Sequence, residues 1–347
     1  MNEMEYVDLR SDTVTKPTPE MREAMAEAAV GDDVFGDDPT VIELQELAAK
    51  MIGKETSLFV PSGTMGNLIA IMVHCSRGEE AIIGDKSHIY LNEAGGMSAL
   101  GGVYPHPVPN QKDGTLRLGD IRGAIQPDDQ HRTITRLISI ENTQNACGGI
   151  PLSVEYTRQV GSLAKENGLK FHIDGARIFN AAAALDVDVK ELTNTADSVM
   201  FCLSKGLASP VGSMLAGTRE FIARAHRLRK MLGGGMRQVG VLAAAGLISL
   251  EKMAGRLKQD HARAKKLYEG LKQIGGLRIE VGPSSNMVYF KLAEHIRMAE
   301  DEVISEMKKR GVLVDWSAPR EFRLVTHYWV DDAGVEKAVL AFRDVLT

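Results

Sequence analysis

An acidic residue and a lysine each stand where a short apolar run of the sequence ends. Asp174 follows residues 170–173, and Lys205 lies just past residues 198–203. Open α/β sheets bind their ligands at the carboxyl ends of their strands. Pyridoxal phosphate requires two groups there, a lysine amine for a Schiff base and a carboxylate that keeps the pyridinium nitrogen protonated. The two residues together predict a pyridoxal-phosphate site, although a lysine taken alone is most often an ordinary solvent-exposed side chain.

A glycine-containing turn with two hydroxyls precedes a predicted helix. Ser62, Gly63 and Thr64 end an apolar run and lead into a helical pattern over residues 65–75. The free N–H groups and the positive dipole end of such a helix suit a phosphate. Serine and threonine are also ordinary helix caps without any ligand. Both roles are compatible at this turn.

Three further residues could act on an anion or a proton. His88 follows the apolar residues 81–84, where an imidazole could stack on a pyridine ring or move protons near neutral pH. Arg177 lies three residues beyond Asp174, and Arg323 lies within a C-terminal apolar run. An arginine fork matches a carboxylate in a bidentate way. For either arginine, a surface ion pair is the alternative.

The composition limits the classes of partner. The 347 residues carry a formal net charge of −5 and are 44% hydrophobic. This balance indicates a globular protein without an electrostatic surface for nucleic acid or an anionic membrane. Cys75, Cys147 and Cys202 lack the spacing of a zinc site or a disulfide scaffold, so we predict no metal and a cytoplasmic location. We also expect no signal peptide and no membrane-spanning segment.

The remaining pattern predicts the elements that must position these residues. Helical patterns alternate with short apolar runs at residues 80–84, 103–108, 137–140, 170–173, 198–203 and 212–216. This alternation predicts an α/β fold, a mostly parallel sheet with helices on both faces. After a predicted long helix over residues 239–274, shorter runs and helices indicate a smaller α+β domain. With a boundary near residue 250, the predicted domains are residues 1–250, including an N-terminal arm, and residues 251–347.

Several multi-residue motifs occur together in order along the chain. They are LRSDTVT (residues 9–15), GDDV (31–34), PSGTMGN (61–67), HIDGAR (172–177), CLSKG (202–206), GGGMRQ (233–238) and RLVTH (323–327). From about residue 7 to the C-terminus, the chain resembles the low-specificity L-threonine aldolase family.

This resemblance implies a pyridoxal-phosphate enzyme of fold type I, the aspartate-aminotransferase type. It implies a homotetramer with active sites at a dimer interface, and retro-aldol cleavage of L-threonine and L-allo-threonine to glycine and acetaldehyde. The implied cofactor-binding residues are Lys205 with the Schiff base, Asp174 at the pyridinium nitrogen, Ser62, Gly63 and Thr64 at the phosphate, His88 stacked on the ring, Arg177, and Arg237 at a neighbouring subunit's phosphate. The implied substrate carboxylate ligands are Arg177, Arg323 and Ser11, and His131 would lie near the substrate hydroxyl.

Three positions depart from the family pattern, and some questions stay open. Gln144 replaces a histidine, Asn92 replaces an aromatic residue, and Arg132 stands where an aromatic residue is usual. The base that takes the substrate's hydroxyl proton could be His88, His131 or a water molecule between them. An aminotransferase, a β-eliminating lyase or a catalytically silent binding module on the same fold are the rival functions. Whether Thr13 and Thr15 hold a cation is also open.

Overall fold

The computed structural model describes residues 6–346. Its α-helices are α1 (Pro19–Glu27), α2 (Pro39–Ile52), α3 (Gly63–His74), α4 (His88–Leu91), α5 (Gly96–Ala99), α6 (Leu118–Ala124), α7 (Val154–Glu166), α8 (Ile178–Leu185), α9 (Val189–Thr193), α10 (Arg219–Met231), α11 (Gly240–Ile248), α12 (Leu257–Leu271), α13 (Glu300–Lys309) and α14 (Asp332–Leu346). Its strands are β1 (Val7–Asp8), β2 (Thr56–Val60), β3 (Glu79–Gly84), β4 (Tyr104–Val108), β5 (Ile134–Glu141), β6 (Lys170–Asp174), β7 (Ser198–Cys202), β8 (Ser213–Gly217), β9 (Leu277–Arg278), β10 (Met287–Leu292), β11 (Val312–Leu313), β12 (Trp316–Ala318) and β13 (Glu321–Val325).

A seven-stranded sheet forms the centre of the larger unit, in the order β2-β8-β7-β6-β5-β3-β4. Strands β4, β3, β5, β6 and β7 pair in parallel, and β8 pairs antiparallel with both β2 and β7. The strand β7 is buried along its whole length, as expected where helices cover both faces. The predicted mostly parallel sheet of an α/β fold is confirmed.

The sheet brings the ends of four neighbouring strands together. In register, Glu141 at the end of β5 lies opposite Asp174 at the end of β6, and Asp174 lies opposite Met200 on β7. His88 begins α4 just after β3, and Lys205 lies three residues after β7 ends. The carboxyl edge of strands β3, β5, β6 and β7 therefore carries the predicted residues Lys205, Asp174 and His88.

The second core lies under a four-stranded antiparallel sheet in the order β12-β13-β10-β9, packed with α12 and α14. The N-terminal segment joins this core, because Val7 pairs with Val312 and Leu9 is fully buried in it. The larger core extends as far as Leu257. The division into residues 1–250 and 251–347 stays a prediction.

The predicted long helix over residues 239–274 is interrupted. A π-helical turn at Ser249–Met253 and a 3₁₀ turn at Ala254–Arg256 separate α11 from α12. Gly255, which has a low helix propensity, lies in this interruption. The buried Ser249 hydroxyl also donates to the carbonyl of Leu207, which ties the π-turn to the loop after Lys205.

Candidate active site

Asp174 is a buried carboxylate with fixed hydrogen-bond donors. Only 1% of the residue is exposed, where it ends β6. Its Oδ2 accepts from Asn67 Nδ2 at 3.0 Å, and its Oδ1 accepts from the backbone N–H of Ala176 at 3.1 Å. These donors satisfy part of the carboxylate, and a protonated ring nitrogen is a further donor that it can accept.

His88 and Glu93 form a pair beside Asp174. One ring nitrogen of His88 and one carboxylate oxygen each of Glu93 and Asp174 all lie within 4.8 Å of one another. His88 Nδ1 lies 2.9 Å from Glu93 Oε1, and this hydrogen bond, with the nearby Asp174 charge, raises the pKa of His88 despite partial burial. Burial, with the Asp174 charge as a further cause, raises the pKa of the Glu93 carboxyl. With Nδ1 held by Glu93, the Nε2 atom of His88 is left to act on a ligand.

A third carboxylate, Glu141, fixes the backbone around this pair. Its Oε2 accepts from the His88 backbone N–H at 2.7 Å, and its Oε1 accepts from the Asn145 backbone N–H at 3.0 Å. Burial and the neighbouring Asp174 charge raise the pKa of Glu141 to about 7. Glu141 thus ties the start of α4 to the loop after β5.

The α3 helix begins at the predicted glycine-containing turn. The Ser62 hydroxyl accepts from the Met65 N–H at 3.2 Å, so serine caps the helix. A Cβ at position 63 would lie 2.9 Å from Cys202 Sγ, closer than side chains pack, so glycine is required there. This close approach places the N-terminus of α3 beside the end of β7, at the same edge of the sheet as Asp174.

Lys205 lies half-buried at the same edge. The Thr15 hydroxyl donates to its backbone carbonyl at 3.1 Å and to that of Asp12 at 2.9 Å. The positive charge of Lys205 acts to lower the pKa of both Asp12 and His88. The Lys205 amine therefore lies close enough to interact electrostatically with both groups. The Thr15 hydroxyl therefore holds the loop of Lys205 in place, and Thr13 is exposed.

Arg177 is held by a buried acid that the sequence did not single out. Its Nε and Nη2 atoms donate to the two oxygens of Asp12, at 2.8 and 2.5 Å. Burial alone would raise the pKa of Asp12, but the Arg177 charge and hydrogen bonds keep that pKa well below its usual range. Ser11 is partly buried and caps the 3₁₀ turn that carries Asp12, accepting from the Thr13 N–H. The Nη1 group of Arg177 remains for a ligand.

Arg323 approaches the site from the smaller unit. It lies on β13 opposite Tyr289 of β10, and its Nη1 donates to Asn145 Oδ1 at 3.0 Å. The Tyr289 hydroxyl donates to the Asn145 carbonyl at 2.8 Å. Through Asn145 and Glu141, the guanidinium of Arg323 is linked to the segment that carries His88.

Two other predicted residues are exposed and paired with acidic residues outside this group. Arg237 is half-exposed and pairs with Asp32 at 3.0 Å. His131 is 77% exposed, pairs with Asp129, and precedes the first residue of β5. Because a parallel strand rises about 3.3 Å per residue, Ile134, three residues beyond His131, lies about 23 Å from Glu141 along β5. His131 therefore lies toward the opposite end of β5 from Glu141 within one chain, whereas the role of Arg237 stays a prediction.

The three departures from the family pattern have different surroundings. Gln144 is buried, and it donates to the Lys86 carbonyl at 2.9 Å and accepts from the Cys147 N–H at 2.8 Å, so it stabilises its own loop. Asn92 is exposed and follows the last residue of α4. Arg132 is exposed next to His131.

The donor set fits pyridoxal phosphate. A lysine, a buried carboxylate, an imidazole and a helix N-terminus meet at one edge, as the cofactor's aldehyde, ring nitrogen, ring face and phosphate require. Among the buried side-chain atoms of residues 6–346, the hydroxyls of Thr143 and Ser213 have no hydrogen-bond partner. Ser213 pairs with Val60 and Cys202, beside the start of α3, and Thr143 follows β5. Both hydroxyls therefore lie at the edge of the sheet that carries Asp174.

Comparison with known proteins agrees with this geometry. The family model described as beta-eliminating lyase matches residues 8–294. A probable low-specificity L-threonine aldolase 2 of Arabidopsis thaliana is 50% identical over 343 residues, covering 98% of this chain and 97% of that protein. This chain belongs to that family. The resemblance read from the motifs is confirmed.

Two further proteins extend the comparison. The low specificity L-threonine aldolase of Escherichia coli (strain K12) is 48% identical over 321 residues, which is 92% of this chain and 93% of that protein. The solved threonine aldolase of Leishmania major superimposes with a TM-score of 0.84 at 21% identity, covering 98% of this chain and 99% of that one. This structural likeness shows the same fold. No helix among residues 6–346 is long and apolar enough to cross a membrane.

The sequence motifs did not single out the residues that position the predicted site residues. Asp12, Asn67, Glu93 and Glu141 are all buried and bonded to a predicted site residue. Asp12 and Asn67 lie inside quoted motifs, and Glu141 ends an apolar run as Asp174 does. That position was a usable signal for Glu141. Glu93 matches a glutamate of the family pattern that follows Asn92, but its bond to His88 depends on the short α4 turn that brings the two side chains together.

Proposed function

We propose that this protein is a pyridoxal-phosphate-dependent aldehyde-lyase that cleaves L-threonine and L-allo-threonine to glycine and acetaldehyde. The observation that supports this most is the meeting of Lys205, Asp174 and His88 at the carboxyl edge of one sheet, beside the N-terminus of α3. The names of its close relatives support the choice of substrate.

Each cofactor group has a matching residue. Lys205 would hold the cofactor covalently, Asp174 would face the ring nitrogen, and His88 would lie against the ring. Ser62, Gly63 and Thr64 would bind the phosphate with N–H groups and hydroxyls. When bound, pyridoxal phosphate supplies an electron sink for the bond that breaks.

Arg177 and Arg323 would bind the substrate carboxylate. Asp12 takes two donors of Arg177 and so fixes the direction of the remaining Nη1 group. Asn145, in the loop after β5, accepts from Arg323, and the Tyr289 hydroxyl in turn holds Asn145. Two arginines on one carboxylate restrict rotation of the substrate, which selects the Cα–Cβ bond by orientation.

His88 is the best-supported acceptor for the substrate's hydroxyl proton. Its Nδ1 is held by Glu93, which leaves Nε2 for the substrate, the arrangement of a base with an orienting carboxylate. Within one chain, β5 extends for about 23 Å between the end next to His131 and Glu141 at the site. His131 could therefore reach only the site of another chain.

Assembly is also part of the proposal. Arg237 is half-exposed, and a homotetramer with sites at a dimer interface would let it bind a neighbour's phosphate. The cytoplasmic location and the absence of a metal stay predictions. Dilution of the protein to a monomer should release the cofactor, whereas a monomer that keeps the cofactor and full activity would contradict this part.

Product analysis tests the proposed reaction. Purified protein with added pyridoxal phosphate and L-threonine should give glycine and acetaldehyde in equal amounts, without a keto acid. β-Elimination would instead give 2-oxobutanoate and ammonia, and an aminotransferase would require a keto-acid acceptor. Either of those outcomes, without glycine, would overturn the assignment.

A further inference from the structure

A line of buried hydrogen bonds runs away from the site through residues without an assigned role. Asn67 Nδ2 donates to Asp174 at 3.0 Å and to Glu93 at 2.9 Å. Asn67 Oδ1 lies 3.1 Å from His172 Nε2, and His172 Nδ1 lies 2.8 Å from Ser198 Oγ. Ser198 Oγ in turn lies 2.7 Å from Nε2 of a second histidine, His74.

The backbone places these side chains opposite one another. His172 and Asp174 are two residues apart on β6, so both point to the same face of the sheet, and His172 lies in register with Ser198 of β7. Asn67 and His74 are seven residues apart on α3 and share one helix face. That face of α3 lies over β6 and β7, from Asp174 at the end of β6 to Ser198 at the start of β7.

A glycine allows α3 to lie close to the central sheet. A Cβ at position 66 would lie 2.7 Å from Met200 Cγ, so only glycine allows this approach of α3 to β7. Gly66 precedes Asn67 directly. The short distance from helix to sheet is what allows the Asn67 amide to reach both Asp174 and His172.

One arrangement of the protons satisfies every hydrogen bond in this line. Both hydrogens of the Asn67 amide point to carboxylates, so its oxygen faces His172 and can only accept. In this arrangement His172 carries its proton on Nε2, and its Nδ1 accepts from the Ser198 hydroxyl. Ser198 in turn accepts from His74. Burial lowers the pKa of each histidine to about 3, which keeps both neutral.

We propose that His172 is a positioning residue that fixes the direction of the Asn67 amide, and thereby keeps two donors on the carboxylates of Asp174 and Glu93. A reversed amide would turn its oxygen toward both carboxylates and leave a donor facing the N–H of His172. Ser198 and His74 lock the tautomer that His172 needs. This inference rests on the proposed function, in which Asp174 faces the cofactor's ring nitrogen.

Two variants of His172 separate the effect of its hydrogen-bond donor from the effect of its side-chain volume. The Nε2 of glutamine can stand near the place of the histidine Nε2, so His172→Gln keeps a donor to Asn67, whereas His172→Phe fills the space without one. A matched control is His261→Phe, because His261 is also a mostly buried histidine bonded to an asparagine, Asn180, at 3.2 Å.

The affinity of the cofactor-free protein for pyridoxal phosphate is the first readout, measured by absorbance titration beside the melting temperature. We expect His172→Phe to bind the cofactor about 10- to 100-fold more weakly than wild type, the range for losing a hydrogen bond to a charged group. His172→Gln should recover most of this affinity. His261→Phe should bind the cofactor as wild type does, even where its melting temperature falls. Equal cofactor affinity in the Phe and Gln variants would overturn the proposal.

The second readout is the tautomer itself, which does not depend on cofactor. With ¹⁵N-labelled histidine, the signal that disappears in His172→Gln identifies His172 among the 9 histidines. We expect a neutral ring with its proton on Nε2. A proton on Nδ1, or a charged ring at neutral pH, would overturn the proposal. If wild-type protein shows this tautomer but binds no pyridoxal phosphate, the proposed function fails while the hydrogen-bond line stands.

Discussion

Asp12→Asn tests whether the buried ion pair with Arg177 stabilises the site. The two Asp12 oxygens each accept one N–H of Arg177, and the side chains are 0% and 6% exposed. Asparagine has nearly the same shape but offers one oxygen, and its NH₂ group would face the second donor of Arg177. Removing one charge of a buried pair costs about 3–5 kcal/mol, because the partner is left uncompensated.

The assay is urea unfolding of cofactor-free protein, with all variants at one protein concentration because assembly adds to stability. The control is Asp186→Asn, which removes the acid of an exposed pair with Lys258 and should leave the midpoint unchanged. A loss below about 1 kcal/mol in Asp12→Asn would show that the pair contributes little, and would refute this reasoning.

The same pair predicts how stability depends on pH. Because the pKa of Asp12 is lowered in the folded protein, its ionised form stabilises the fold above the unfolded value of 3.8. This contribution is lost as pH falls below that value. In Asp12→Asn the loss at low pH should be smaller than in wild type, and an identical pH dependence in both proteins would contradict the assignment.

Three further predictions concern the substrate. Arg323→Ala should keep the cofactor but lose about 2–5 kcal/mol in kcat/KM for threonine, and an unchanged kcat/KM would make Arg323 structural. If His88 is the base, kcat/KM should fall as pH drops through its raised pKa. Glu93→Gln should move this fall to lower pH, since the Glu93 hydrogen bond is the main cause of the raised pKa. An unmoved pH profile would exclude His88 as the base. L-threonine and L-allo-threonine should both react while the D isomers fail, and a preference between the L forms beyond about a thousandfold, about 4 kcal/mol, would indicate a fixed hydroxyl contact.

The sequence predicted those parts of the site that depend on strand ends. Lys205, Asp174 and His88 each follow a buried run, and in a mostly parallel sheet such positions must meet at one edge. The glycine turn before α3 was readable for the same reason, because a helix N-terminus is a local feature.

The supporting residues could not be read in this way. Asn67 and His172 are 105 positions apart, and only the close packing of α3 on the sheet joins them. Asp12 reaches Arg177 across 165 positions through the N-terminal segment. Such pairs depend on tertiary packing, which has no periodic signal in one sequence. The interruption between α11 and α12 was missed because the apolar pattern continues through Ser249–Met253.

The central claim is that Lys205 carries pyridoxal phosphate in an enzyme of this family. Borohydride reduction of the cofactor-loaded protein, followed by peptide mass spectrometry, tests it most directly. We predict that the reduced cofactor is found on the peptide that contains Lys205 and that Lys205→Ala carries no label. Recovery of the label on a different lysine, or full labelling of Lys205→Ala, would contradict the account.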